Sequence, residues 1–142
     1  MIDEKELILL ACQAREMAYT PYSGFQVGAA LLTREGRVYL GCNIENASYG
    51  PTNCAERTAF FKAVSEGERD FTAIAIVGGP VKTAAGAMCA PCGVCRQVMM
   101  EFCDPGTFRI ILQDGAGGLR TFSLDDLLPY GFGGKDLLAN GC

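Results

Sequence analysis

The chain has 142 residues, of which 49% are hydrophobic and 20% charged, so it carries enough apolar material to bury the core of one ordinary domain. We therefore expect residues 1–142 to form a single domain. The formal net charge is −4 at pH 7, which leaves no excess of Lys and Arg to neutralise a phosphate backbone and argues against a nucleic-acid partner.

The first segment, "MIDEKELILLACQARE", begins with acidic residues, and its apolar run is short. It fits neither a secretory signal nor a membrane span, so we expect a cytoplasmic protein. Apolar side chains recur at helical spacing over residues 4–18, with acids near the start, and this pattern predicts a first helix there.

The middle of the chain predicts strands around a second helix. Three runs have the composition and length of strands: "FQVGAALLT" (25–33), "RVYLGCNIE" (37–45) and "FTAIAIVG" (71–78). A short polar segment ending in Gly36 separates the first two, which indicates a hairpin. A second helix is expected from about Cys54 to Ser65, with Gly67 as its C-terminal stop.

The last part of the chain predicts a loop over residues 79–95, where small residues and two prolines occur, and then a third helix, "VCRQVMMEFC". "FRIILQ" and "LRTFSL" predict two more strands joined by the turn "DGAGG", and "SLDDLLP" predicts a short capped helix. This order of elements predicts an α/β fold, a three-layer α/β/α sandwich with a mixed five-stranded sheet.

The chain has eight cysteines and no histidine. With a large core and no export signal, clustered cysteines favour a metal site over a disulfide framework. Cys92 and Cys95 have the spacing of metal ligands, and Pro91 favours a helix start that places both thiols on one face of its first turn. Cys54, at the predicted start of another helix, is a candidate third ligand. Three ligands with a vacant fourth position are typical of catalytic zinc.

Glu56 makes this interpretation specific. It lies two residues after Cys54, off that side chain's helical face, so we expect it to face the vacant position and not to bind the metal. Zinc lowers the pKa of a bound water to roughly 7, so a carboxylate suffices as proton carrier and no histidine is needed. Three thiolates leave the site negative, and we expect Arg57, Arg96 and two helix N-termini to offset that charge, with Arg57 hydrogen-bonding the thiolates.

Each of these features has an ordinary explanation when taken alone. A single CxxC pair is often a structural zinc knuckle or a redox pair, and a lone cysteine at a helix start is usually just packed there. A structural zinc or thiol-redox module, with four ligands or a reversible disulfide, is therefore the alternative from another class of protein. The combination of C-A-E at one helix start with P-C-x-x-C at another favours a hydrolytic zinc site.

The sequence resembles the small homotetrameric zinc-dependent cytidine deaminases over nearly its whole length, in four blocks: "PYSGFQVGAAL", "GCNIENASY", "TNCAERTA" and "APCGVCRQV". The resemblance implies hydrolytic deamination of cytidine and 2′-deoxycytidine, with one Zn²⁺ per subunit bound by Cys54, Cys92 and Cys95 and with Glu56 as the proton shuttle. It also implies a homotetramer with active sites shared between subunits. A deaminase of another cytosine compound, such as blasticidin S, is the nearest alternative, but the sugar-reading "NIEN" counts against it.

The resemblance also assigns residues that bind substrate. Ribose binding falls on Phe25, Asn43 and Glu45, and strand alternation independently places Asn43 and Glu45 on the face opposite the apolar one. The Ala55 backbone is implied near the pyrimidine. Tyr49 is expected close to the site of another subunit.

An aromatic residue near the C-terminus is implied to stack on the base in a neighbouring subunit. Phe132 is the best match and Tyr130 the alternative. The sequence departs from the family pattern at an extra cysteine, Cys89, which gives CxxCxxC. We treat as bystanders the cysteines outside the expected ligand set: Cys12, Cys42, Cys89, Cys103 and Cys142.

Overall fold

The computed structural model describes residues 2–138, which form a mixed five-stranded sheet with strand order β2-β1-β3-β4-β5. The strands are β1 (Phe25–Thr33), β2 (Val38–Cys42), β3 (Phe71–Pro80), β4 (Arg109–Gln113) and β5 (Leu119–Ser123). Only β3 and β4 pair in parallel among these strands, and the other three pairings are antiparallel. A parallel pair needs a long crossover, which the loop after β3 and the helix before β4 supply.

The helices of the described residues are α1 (Glu4–Arg15), α2 (Ala55–Ser65), α3 (Gly93–Phe102), α4 (Leu124–Leu127) and α5 (Lys135–Leu138). Alternate strand residues face opposite sides of the sheet. Ala30, Ala73 and Ala75 pack against α1, whereas Ile74, Ile76 and Ile110 pack with α2 and α3. The predicted three-layer sandwich is therefore confirmed. Within residues 2–138, every helix is too short or too polar to cross a membrane.

Two elements end earlier than their sequence patterns predict. α1 ends at Arg15, because the amide groups of Met17 and Ala18 donate back to Ala14 and Arg15 in a tighter turn. β2 ends at Cys42, because the Asn43 side chain takes over the pairing with β1. The helix α5 was not predicted.

The start of α2 lies directly on β2 at Gly41. A Cβ atom added there would lie 2.3 Å from the carbonyl oxygen of Ala55 and 2.5 Å from the amide nitrogen of Ala59. No other residue fits so close to a helix backbone. Gly41 thus fixes the position of the helix start that carries Cys54.

Candidate active site

Two helix starts meet on one side of the sheet and bring three thiols together. Cys54 is the N-cap of α2, Cys92 is the N-cap of α3, and Cys95 lies in the first turn of α3. The Sγ atoms of the three cysteines all lie within 4.8 Å of one another, with Cys54 and Cys92 at 3.8 Å and Cys92 and Cys95 at 3.5 Å. The cluster joins residues far apart in the sequence.

These separations fit a zinc ion. Zinc–sulfur bonds of about 2.3 Å in tetrahedral geometry place two sulfur atoms about 3.8 Å apart. Among residues 2–138, no fourth Cys, His, Asp or Glu joins the cluster, so the protein donor set is three thiols. A structural zinc site would be closed by a fourth protein ligand.

The other cysteines lie outside this cluster. Cys89 is half-buried, and burial raises the pKa of its thiol to about 11. The seven cysteines within the described part of the chain are all free, so no disulfide is formed there. Cys142 lies outside the described residues.

Arg57 and Arg96 differ in what they contact. The Arg57 guanidinium donates from Nη2 to Cys54 Sγ at 3.2 Å. A hydrogen bond from Cys95, together with the bond and charge of Arg57, lowers the pKa of Cys54 to about 5. Arg96 was expected to offset the charge of the thiolates as well, but its side chain donates to the carbonyl oxygens of Pro91 at 2.8 Å and Leu127 at 2.6 Å. It holds the turn before Cys92 instead.

Glu56 lies in the first turn of α2, directly between Ala55 and Arg57 in the chain, and only 4% of it is exposed. Burial raises the pKa of its carboxyl to about 7, and the neighbouring Cys54 thiolate adds to that rise. Such a group exchanges a proton readily near neutral pH. It is not a member of the thiol cluster, so it is available for proton transfer.

A cleft of about 300 Å³ opens around Glu45 and is lined by Tyr22, Ser23, Glu45, Asn46, Tyr49 and Thr52. The Glu45 carboxylate accepts hydrogen bonds from the amide groups of Tyr22 and Ser23 and from the Ser23 hydroxyl. The Ser23 hydroxyl bond is the main cause that lowers the pKa of Glu45, which keeps it ionised. Sequence reasoning missed this role of Ser23, although the residue lies within the block "PYSGFQVGAAL".

Asn43 holds the beginning of β1. Its Oδ1 accepts from the Val27 amide and its Nδ2 donates to the Phe25 carbonyl oxygen, each at 2.9 Å. The amide thereby fixes Phe25, the first residue of β1, whose ring is partly exposed and lies beside Cys89 over Gly78. The side chain of Asn43 retains one donor hydrogen and one acceptor lone pair for another partner.

The remaining predicted site residues differ in how much of each is exposed to solvent. Ala55 is fully buried at the first position of α2. Tyr49 is 75% exposed at the rim of the Glu45 cleft, with a left-handed φ of 57°. Tyr130 is fully exposed with a φ of 57°, and Phe132 is 55% exposed, with its carbonyl oxygen bonded to Gln97 of α3 at 2.8 Å. Among residues 2–138, no hydrogen bond joins these two aromatic residues to the thiol cluster.

The chain is similar to known proteins over most of its length. A family model described as "Cytidine and deoxycytidylate deaminase zinc-binding region" matches residues 1–110. The chain is 52% identical over 136 residues to a cytidine deaminase of Halalkalibacterium halodurans, covering 96% of this chain and 98% of that one. A crystal structure of cytidine deaminase from Burkholderia pseudomallei has a TM-score of 0.82 at 51% identity, covering 92% of this chain and 100% of that one. A crystal structure of cytidine deaminase from Mycobacterium tuberculosis has a TM-score of 0.77 at 40% identity. That match covers 94% of this chain and 99% of the other one.

Proposed function

Because the chain belongs to the cytidine deaminase family of zinc-dependent hydrolases, we propose that it converts cytidine and 2′-deoxycytidine to uridine and 2′-deoxyuridine, consuming water and releasing ammonia. The observation that carries the proposal is the three-thiol cluster together with the buried carboxyl of Glu56, which interacts with Cys54 and Cys95 of that cluster. A structural zinc module would have four ligands, and a redox module would not need that carboxyl.

In this mechanism Cys54, Cys92 and Cys95 would hold the zinc ion, which would supply Lewis-acid chemistry and make water acidic enough to act near neutral pH. Glu56 accepts a proton at its carboxylate and delivers it to N3 of the pyrimidine, and then helps to protonate the departing amine. Its pKa of about 7 suits both halves of this transfer. The Arg57 guanidinium withdraws charge from the Cys54 thiolate and so maintains the electrophilicity of the metal.

The sugar is bound where β1 begins and β2 ends. Glu45 and the free hydrogen-bonding capacity of Asn43 pair with the ribose hydroxyls, Phe25 packs against the nucleoside, and the Ala55 backbone lies near the base. The ionised Glu45 disfavours a substrate with a 5′-phosphate, and none of the described residues that line the cleft is basic. This is the reason to prefer nucleosides over deoxycytidylate, which the family description also covers.

The substrate assignment is tested with purified zinc-loaded protein and five compounds: cytidine, 2′-deoxycytidine, cytosine, CMP and blasticidin S. We expect a fall in ultraviolet absorbance and release of one ammonia per product with the two nucleosides, and loss of both signals after chelation. Little or no turnover is expected with the other three. Turnover of CMP without cytidine, or of blasticidin S alone, would overturn the assignment.

We also propose that protomers of one domain assemble into a homotetramer whose active sites are shared. Tyr49 and Tyr130 are exposed aromatic residues held in a left-handed backbone conformation, which costs of order 1 kcal/mol or more at a non-glycine residue. Exposed aromatic side chains at such a cost are typical of contact sites. In the assembly Tyr49 lies close to a neighbouring site and Phe132, with Tyr130 as the alternative, stacks on the neighbour's base.

Mixing two inactive variants tests the shared site. We expect Glu56→Gln and Phe132→Ala to be nearly inactive alone, and activity above their sum to appear after subunit exchange, because some hybrid sites then take Glu56 and Phe132 from different protomers. Tyr130→Ala is the matched control, and it replaces Phe132→Ala as the partner if it alone loses activity. A monomer in light scattering that is fully active, or mixtures without any gain, would contradict the shared site.

The site is proposed to work in the cytoplasm. Its zinc-binding group is three thiols, and the seven described cysteines are all free, which suits a reducing compartment. The nucleoside is the expected partner, and neither a nucleic acid nor a membrane is required.

A further inference from the structure

Arg15 is a buried arginine whose described hydrogen bonds from the guanidinium all go to backbone carbonyl oxygens. The residue is 9% exposed, and within residues 2–138 no carboxylate forms a salt bridge with it. Nε donates to Gln26 O at 3.1 Å, Nη1 to Thr83 O at 2.9 Å and Nη2 to Pro80 O at 2.9 Å. Burying a cation is costly unless its donors are hydrogen-bonded, and these three bonds offset part of that cost.

The three acceptors belong to three different segments. Gln26 follows Phe25 at the start of β1, and Pro80 ends β3 opposite Phe25 in the sheet register. Thr83 lies in the loop that runs over residues 81–92 to Cys92. One planar guanidinium thus joins the strand that presents Phe25 to the loop that leads to the thiol cluster. A lysine cannot do the same, because its donors leave from a single point.

Two glycines of the sheet allow α1 and the Arg15 side chain to approach it closely. A Cβ atom on Gly28 would lie 2.0 Å from Ala11 O and 2.5 Å from the Arg15 amide nitrogen, and one on Gly79 would lie 3.1 Å from Arg15 Nη2. The end of α1 therefore rests directly on β1, and the guanidinium fits closely over β3. These close contacts are an observation separate from the three hydrogen bonds. Both indicate that Arg15 is held in one position.

The loop over residues 81–92 depends on this anchor. It contains no helix or strand before Gly93. Its described backbone–backbone hydrogen bonds lie at its two ends: Val81 N donates to Gly24 O and Thr83 N to Pro80 O at the beginning, and Cys92 O accepts from Arg96 N at the end. Lys82 has a left-handed φ of 64°, a strained conformation that the bond from Arg15 to the next residue helps to hold.

Beyond that turn the loop forms a wall beside Phe25. A Cβ atom on Gly78 would meet Cys89 Sγ at 2.6 Å and Phe25 Cε1 at 3.0 Å, so the thiol and the ring lie together over that glycine. The far end of the loop is held separately, because Arg96 donates to Pro91 O. Loss of Arg15 would therefore loosen the wall at Phe25 without releasing the metal ligands on α3.

We propose that Arg15 is a positioning residue that fixes Phe25 and the loop over residues 81–92 against each other and so sets the fit of the substrate. The part of this inference that concerns the substrate rests on the proposed function. The part that concerns the loop does not. Loop proteolysis tests the anchoring of the loop, and kinetics test its effect on substrate binding. A failure of the proposed function can therefore be told apart from a failure of the anchoring.

The experiment uses the zinc-loaded protein and the variants Arg15→Lys and Arg15→Met. Trypsin cleaves after exposed lysines, and Lys82 is exposed in this loop, so cleavage between Lys82 and Thr83 is followed by mass spectrometry well below the melting temperature. Arg69→Lys is the matched control, since Arg69 also donates to backbone carbonyl groups at a helix end, those of Val64 and Glu68.

We expect cleavage at Lys82 to accelerate roughly tenfold or more in both Arg15 variants, as expected when charge-assisted hydrogen bonds are lost. For cytidine we expect KM to rise roughly tenfold while kcat per bound zinc changes less than about threefold. The control should match the original chain in every measurement. If Arg15→Met does not fold, Arg15→Lys decides.

Unchanged cleavage at Lys82 in the variants, with only a lower melting temperature, would reduce Arg15 to a structural residue and overturn the proposal. Faster cleavage with unchanged KM would overturn the positioning role. If the unmodified chain turns over no nucleoside while cleavage at Lys82 still accelerates in the variants, the proposed function fails and the anchoring of the loop stands.

Discussion

Replacing Glu56 by Gln is expected to lower kcat for cytidine by roughly 10²- to 10⁴-fold, the range that general acid–base catalysis contributes, while zinc remains bound. The amide has nearly the shape of the carboxyl group but does not accept and release a proton. Glu56 is buried beside the thiol cluster without belonging to it, so the metal site should survive. Steady-state kinetics and metal analysis on the same sample measure both effects.

Glu66→Gln is the matched control, because Glu66 caps the other end of the same helix, α2, and is exposed. It should retain full activity. If Glu56→Gln retained full kcat, another group would have to carry the proton. If it lost zinc, Glu56 would have to be reassigned as a ligand, and the open position of the site would be lost with it.

Replacing Cys95 by Ala is expected to remove zinc from the purified protein and to abolish turnover. Cys95 is fully buried and its sulfur lies 3.5 Å from that of Cys92, so two thiols would remain where three are needed. Since metal binding contributes to the free energy of folding, the melting temperature should fall too. Metal analysis after gel filtration, kinetics and thermal unfolding give the three readouts.

Two comparison variants make this result specific. Cys103→Ala removes another buried thiol at the end of the same helix, and it should keep zinc and activity while losing on the order of 1 kcal/mol of stability. Arg57→Ala should keep zinc but lower activity about 10- to 100-fold, because the thiolate loses its hydrogen-bond donor. Stoichiometric zinc in Cys95→Ala would contradict the proposed ligand set.

Much of the fold follows from local patterns in the sequence. β1 occupies the predicted residues 25–33, and α2 begins next to Cys54 and stops before Gly67, whose φ of 100° only glycine adopts readily. Strand alternation and helix punctuation act over a few residues, so a single sequence displays them. The expected substrate and the expected assembly came from the resemblance to a family, because no local pattern contains them.

The parts that could not be predicted depend on long-range contacts. The early end of β2 arises because a side chain, that of Asn43, competes with the backbone for partners on β1. In the sequence, Arg15 cannot be told apart from any other basic residue at a helix end. Only the folded structure shows that its guanidinium reaches Pro80 and Thr83. Likewise, Ser23 and Glu45 become partners only once the loop before β1 folds against the end of β2.

Four of the helices in the described part of the chain begin in two different ways. α1 and α4 start with complete capping boxes, formed by Asp3 with Glu6 and by Ser123 with Asp126. α2 and α3 start at the cysteines of the thiol cluster, and no side chain of the described residues caps them at those N-caps. A missing cap costs a helix about 1 kcal/mol. Without its ion, the enzyme is therefore expected to fray first at these two neighbouring turns, so metal loss and local unfolding should begin at the same place.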